Sequence, residues 1–147
     1  MYTRGSVNFR ISIGDWHAQK LHARAVRDDV FISEQNIPVE LEWDEMDRVS
    51  LHALAYDDAG QAIGTGRLLP DGHIGRMAVT RAMRRAGVGG AILQALMQAA
   101  RARGDKAVVL SAQTRAESFY LHHGFVREGD EFMEAGILHI QMRHVFP

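Results

Sequence analysis

No cysteine occurs among the 147 residues. That absence excludes disulfides, thiolate nucleophiles, iron–sulfur clusters and cysteine-based zinc sites, and it suits a reducing cytoplasm. No apolar run reaches the ~18 residues of a membrane span, and the opening MYTRGSVNFRISIG lacks a long apolar signal core. A cytoplasmic protein without membrane contact is expected. Eight histidines are present, but none in metal-ligand spacing. There is no HExxH, His122 and His123 point apart on a helix, and His139 and His144 fall on opposite faces of a strand, so no metal is expected. Acid is missing from one stretch: Gly72–Gly104 carries Arg76, Arg81, Arg84, Arg85, Arg101 and Arg103 and no Asp or Glu. The reverse holds between Asp28 and Asp58, where ten acids face only Arg48. One segment is suited to anions and the other to cations, while the net charge of -1 argues against a nucleic-acid partner.

What remains is ordinary globular composition, 46% hydrophobic and 24% charged, in a length that predicts a single domain over residues 1–147. Alternation predicts a strand at Val7–Ile13, and Asp15 is placed to cap a helix from Trp16 to Phe31 with Leu21, Ala25 and Val26 on its apolar face. Ser33–Val49, acidic and without a clean period, reads as loop with a short helix. Strands follow at Leu51–Tyr56, Ala62–Leu69 and His73–Val79, the first two joined by the turn Asp57-Asp58-Ala59-Gly60. Gly87–Arg103 repeats its apolar residues at Val88, Ile92, Leu96 and Ala99, a helix that Gly104 ends. The nearly continuous apolar run Ala107–Ala112 then completes a βαβ unit, so its strand should run parallel to His73–Val79. A helix at Arg115–His123 and paired strands at Phe125–Met133 and Ile137–His144 close the chain. The fold class is α/β of mixed α+β type: a central mixed sheet of about seven strands with helices on both faces.

The stretch Arg84-Arg85-Ala86-Gly87-Val88-Gly89-Gly90 opens the long helix directly after a strand. Glycines let a ligand approach the backbone closely, and the helix start offers unpaired N–H groups with the positive end of the dipole. Two arginines add mobile charge for phosphate oxygens. A pyrophosphate fits this loop better than other glycine motifs do, since Ile92 stands where a Rossmann fingerprint needs Gly and no Gly-Lys-Ser/Thr follows.

Arg84-x-x-Gly87-x-Gly89 resembles the acyl-CoA signature of the GNAT N-acetyltransferase superfamily. Gln113-x-x-Ala116-x-x-Phe119-Tyr120-x-x-x-Gly124-Phe125 is similar to its second signature, with Gln113 where Asn is usual. Phe31-Ile32-Ser33-Glu34-Gln35, Asp44-x-x-Asp47 and Gly136-Ile137-Leu138-His139 look like its ElaA-like branch. The resemblance implies a sheet splayed between its fourth and fifth strands, with the thioester of acetyl-CoA in the gap. It implies further that Met77, Ala78 and Val79 bind the pantetheine arm, that the backbone of Arg84, Arg85, Ala86, Gly87, Val88, Gly89 and Gly90 cradles the pyrophosphate, that Gln113 touches the cofactor arm, and that Tyr120 protonates the departing thiolate.

The general base is open, because neither His73–Val79 nor Ala107–Ala112 contains a carboxylate. Glu34, Glu42, Asp44, His52 and His139 are the candidates, with His52 and Glu34 preferred. The expected reaction is direct acetyl transfer from acetyl-CoA to a primary amine of a small, cationic molecule, since no thiol exists to carry an acyl-enzyme. A non-catalytic acyl-CoA-binding module and a protein N-acetyltransferase are the alternatives, and a homodimer is one assembly open to the chain.

Overall fold

The computed structural model describes residues 8–39 and 44–147. Strand β1 (Phe9–Asp15) runs straight into helix α1 (Trp16–Arg27), and the Asp15 carboxylate caps it by accepting the Ala18 amide at 2.9 Å. Helical turns continue beyond α1, but not as α-helix to Phe31. From Asp28 to Glu34 they widen to π geometry, with the Gln35 amide donating to the Val30 carbonyl at 3.1 Å. In this phase Val30 enters the core beside Val26 and Ala78.

The expected apolar face of α1 is also corrected. Leu21 is 79% exposed and Ala25 is exposed, whereas Gln19, Ala23, Val26 and Arg27 are buried. Two polar side chains lie on the inner face because each finds partners there. Gln19 donates to the carbonyls of Ser12 and His52, and Arg27 meets Asp47.

Strands β2 (Leu51–Asp57), β3 (Ala62–Leu68) and β4 (Ile74–Val79) extend β1 into an antiparallel sheet of order β1-β2-β3-β4. The β2–β3 turn forms as expected, with the Asp57 carboxylate accepting the amides of Ala59 and Gln61. Helix α2 (Val88–Ala102) packs on one face of this sheet and α1 on the other. Gly64 and Gly66 let α2 press against β3: a Cβ at Gly66 would stand 2.7 Å from the Met77 sulfur and 2.9 Å from Ile92. Alternation along β2 sends Ala53 and Ala55 to the core shared with α2, and Leu54 and Tyr56 to the cluster under α1.

The second sheet has the order β5-β7-β6, from β5 (Ala107–Gln113), β6 (Val126–Glu134) and β7 (Ile137–Val145). Between β5 and β6 the expected single helix divides into a 3-10 turn (Thr114–Ala116) and α3 (Glu117–His122). Among the described residues the two sheets meet at one parallel bridge, His73 to Val109. The described residues therefore hold seven strands with helices on both faces, parted between the fourth and fifth. No helix among the described residues is long and apolar enough to cross a membrane.

Candidate active site

Beyond the His73–Val109 bridge, β4 and β5 share no further pair among the described residues, and a cleft of about 870 Å³ opens between them. Ile74–Val79 lines one side, Leu110, Ser111 and Gln113 another, and the π segment contributes Val30, Phe31 and Glu34. Within β4 a bulge re-aims the backbone: Thr65 pairs with Ala78 and Arg67 with Gly75, leaving Arg76 and Met77 opposite Gly66. Arg76 takes φ +50, a conformation costly for a side-chain-bearing residue, and it is anchored by Asp44 at 3.3 Å. No signal in the sequence marks this bulge.

Past β4, the predicted glycine loop enters α2. Gly87 sits at φ +85, which favours glycine, and no side chain among the described residues caps the helix start. The first amides of α2 thus remain available as anion donors. At Gly89 a Cβ would meet only ordinary contacts, Val79 at 3.7 Å and Phe119 at 3.8 Å, so protein packing alone does not demand glycine there. Met77, Ala78, Val79, Arg84 and Gln113 line the cleft, and Arg85, Ala86, Gly87, Val88, Gly89 and Gly90 follow at the turn into α2.

Tyr120 lines the cleft from α3, with its ring edge-on to Phe119 and Phe125. Its hydroxyl has no hydrogen-bond partner among the described residues, and burial pushes the phenol above its usual range. His139 lines the same cleft from β7, paired in register with Gln113 on β5. Glu134, at the β6–β7 turn, stands near it.

The preferred base candidates fare differently. His52 occupies an even position of β2, so it faces α1 and not the cleft. It is fully buried, with its ring 4.7 Å from that of Trp16 and its Nε2 donating to the Asp47 carbonyl at 2.9 Å. Burial lowers its affinity for a proton. Glu34 does reach the cleft, but both its oxygens accept from Arg84 at 2.6 Å, with Arg81 at 3.5 Å. The hydrogen bonds from Arg84 hold its carboxyl at about 2, which makes it a poor proton acceptor near neutrality. Arg84 is correspondingly not a mobile phosphate ligand, since its Nε also donates to the Val79 carbonyl at 3.0 Å. Asp44 is taken by Arg67 and Arg76. Glu42 lies outside the described residues.

The Glu34 pair has a pH signature. A carboxyl whose folded value lies below its ordinary 4.5 contributes stability that is complete above 4.5 and is lost as pH falls through about 2. Carboxyl ¹³C shifts are expected to place the Glu34 midpoint near 2, and a midpoint near 4.5 would mean the pair does not hold in solution.

Among the described residues no three His, Asp or Glu side chains gather as a metal site. Comparison with known proteins fits this architecture. The family model of the acetyltransferase (GNAT) domain matches residues 19–146. An uncharacterized N-acetyltransferase of Bacillus subtilis, YjcF, is 44% identical over 121 residues, which cover 80% of this chain and 86% of that one. The crystal structure of an acyl-CoA N-acyltransferase from Pseudomonas aeruginosa superposes with a TM-score of 0.83 at 31% identity, over 94% of this chain and 100% of that one. Escherichia coli ElaA gives 0.81 at 26% identity, over 93% and 99%. The matches run along most of the length of this chain and of its relatives, and this chain belongs to the GNAT family of acetyltransferases.

Proposed function

We propose that the protein moves an acetyl group from acetyl-CoA directly to a primary amine of a small molecule in the cytoplasm. The observation that carries this reading is the cleft itself. The unpaired edge of β4 leads to the open amides of α2, and an unbonded phenol stands at the same gap. In this reading the backbone of Met77–Val79 binds the pantetheine arm, the turn Arg84–Gly90 receives the pyrophosphate, and Gln113 contacts the arm from β5. Tyr120 gives its proton to the departing thiolate. With no cysteine in the chain, transfer proceeds without an acyl-thioester on the protein.

The acceptor enters between the π segment and the β6–β7 turn, where Phe31 and Ile137 supply apolar surface and Glu134 a carboxylate. Broad steering by the acidic stretch is a weaker argument than its composition suggests. Glu34, Asp44 and Asp47 are neutralised by arginines from elsewhere in the chain.

Acetyl-CoA at ~100 times its dissociation constant adds about 2.7 kcal/mol, or a rise of roughly 5–10 °C in melting temperature for a chain of this size. CoA should act similarly and NADH should not. Gly89→Val is expected to abolish the shift, because its side chain occupies space the ligand needs while the fold has room for it. Arg84→Ala should only reduce it. Thiol release from acetyl-CoA with a panel of amines tests the transfer, and binding without thiol release against every amine would make the protein an acyl-CoA-binding module instead.

A further inference from the structure

We propose that His139 is the general base of this reaction. The inference rests on the transfer reading above and assigns the role that the sequence left open. Three acid–base side chains of the His, Asp and Glu type line the cleft among the described residues: Glu34, Glu134 and His139. Glu34 is held by two hydrogen bonds from Arg84, and the Glu134 side chain is 61% exposed at the turn. His139 is different on both counts. It is 7% exposed, and its ring lies against Phe132 with centroids 5.8 Å apart.

The hydrogen-bond pattern selects the tautomer. Nδ1 lies 2.7 Å from the Ile137 carbonyl, which can only accept, so Nδ1 carries the hydrogen and Nε2 keeps its lone pair. That nitrogen stands 3.7 Å from a Glu134 carboxylate oxygen, beyond hydrogen-bond distance. A ring fixed at Nδ1 by a backbone carbonyl, with a basic Nε2 in the same cleft as an unbonded phenol, is the arrangement amine transfer needs.

The other ionisable groups of the cleft are committed elsewhere or are the acid. Arg84 pairs with Glu34, Arg76 with Asp44, and Arg115 donates to Gln113 on the strand beside His139. Tyr120 faces the gap from α3.

Nε2 of His139 takes one proton from the acceptor ammonium, and the freed lone pair forms the C–N bond at the thioester carbon. The C–S bond breaks and the thiolate takes the Tyr120 proton, which the new amide nitrogen replaces through solvent. Acetyl-CoA and an ammonium become an amide, CoA thiol and one proton, held on His139 until it returns to water.

His139→Asn tests this, because the amide can still donate to the Ile137 carbonyl while Nε2 is gone. With acetyl-CoA and the amine that wild type acetylates fastest, kcat is expected to fall ~100-fold or more. The thermal shift with acetyl-CoA should persist, and the residual rate should climb with pH as the free amine increases, without the wild-type acid limb. Wild-type turnover with an unchanged pH profile would overturn the assignment. So would loss of turnover and acetyl-CoA binding together, which would mark a structural role. ¹⁵N NMR of the wild-type ring gives an independent check: a hydrogen on Nε2 and none on Nδ1 in the neutral form would overturn it whatever the variant does. Wild type that binds acetyl-CoA but acetylates no amine would instead bring down the transfer reading, and the base with it.

Discussion

Tyr120→Phe is expected to slow acetyl transfer about 10²–10⁴-fold while acetyl-CoA binding and melting temperature stay at wild-type values. The ring packs between Phe119 and Phe125, and phenylalanine keeps those contacts. The hydroxyl bonds to nothing among the described residues, so its removal costs the fold no hydrogen bond. What is lost is a donor on a side chain that lines the cleft. As the C–S bond breaks, charge gathers on sulfur that was absent in the bound thioester, and a donor waiting there lowers the barrier without tightening ground-state binding. Burial holds the phenol above its usual range, so it remains protonated through neutral pH and can give its proton to a thiolate. A destabilised variant with normal turnover would return Tyr120 to a packing role.

Asp47→Ala should lower the free energy of unfolding by about 3–5 kcal/mol, a large part of the 5–15 kcal/mol typical of a domain. Asp47 Oδ1 accepts from Arg27 at 2.8 Å and from Arg67 at 3.0 Å, and the side chains of Asp47, Arg27 and Arg67 are 4%, 1% and 7% exposed. Taking away the carboxylate removes the buried anion that two interior guanidinium groups share, although Asp44 still pairs with Arg67. The damage extends toward the cleft, because Asp44 bonds both Arg67 and the bulge residue Arg76. Urea unfolding measures the loss, together with a melting temperature lower on the order of 10 °C. A loss below about 1 kcal/mol would show that the buried pairs contribute little.

Helix α2 and the strand after it were legible because their signals are local: a 4-4-3 apolar period, a glycine stop and a short apolar run within one stretch of chain. The glycine turn into α2 and the place of Tyr120 on α3 were legible for the same reason, each lying inside a compact motif. Arginine partners were not. Between Asp28 and Asp58 ten acids have only Arg48 beside them in sequence, yet Arg84 reaches Glu34 across fifty residues, and Arg27, Arg67 and Arg76 converge on Asp44 and Asp47. The same long-range pairing hid the inner face of α1, where a hydrophobic pattern cannot register a buried Gln19 or Arg27. His52 was misplaced by parity. The sequence indicates that β2 alternates, but which face meets α1 and which meets α2 follows only from packing.

Two sheets have four edges where one continuous sheet would have two. β1 and β6 present outer edges, while the edges of β4 and β5 face each other inside the molecule beyond a single bridge. An unpaired edge ordinarily invites another chain to add a strand, and natural proteins blunt it with bulges, short strands or a cover. Here the two inner edges shelter one another. Beyond the bridge they form no ladder among the described residues, and the bulge at Arg76 breaks the regular comb of donors on one of them. What would be an aggregation hazard on the outside becomes, turned inward, a row of backbone groups that a slender ligand can satisfy and a second polypeptide cannot readily enter.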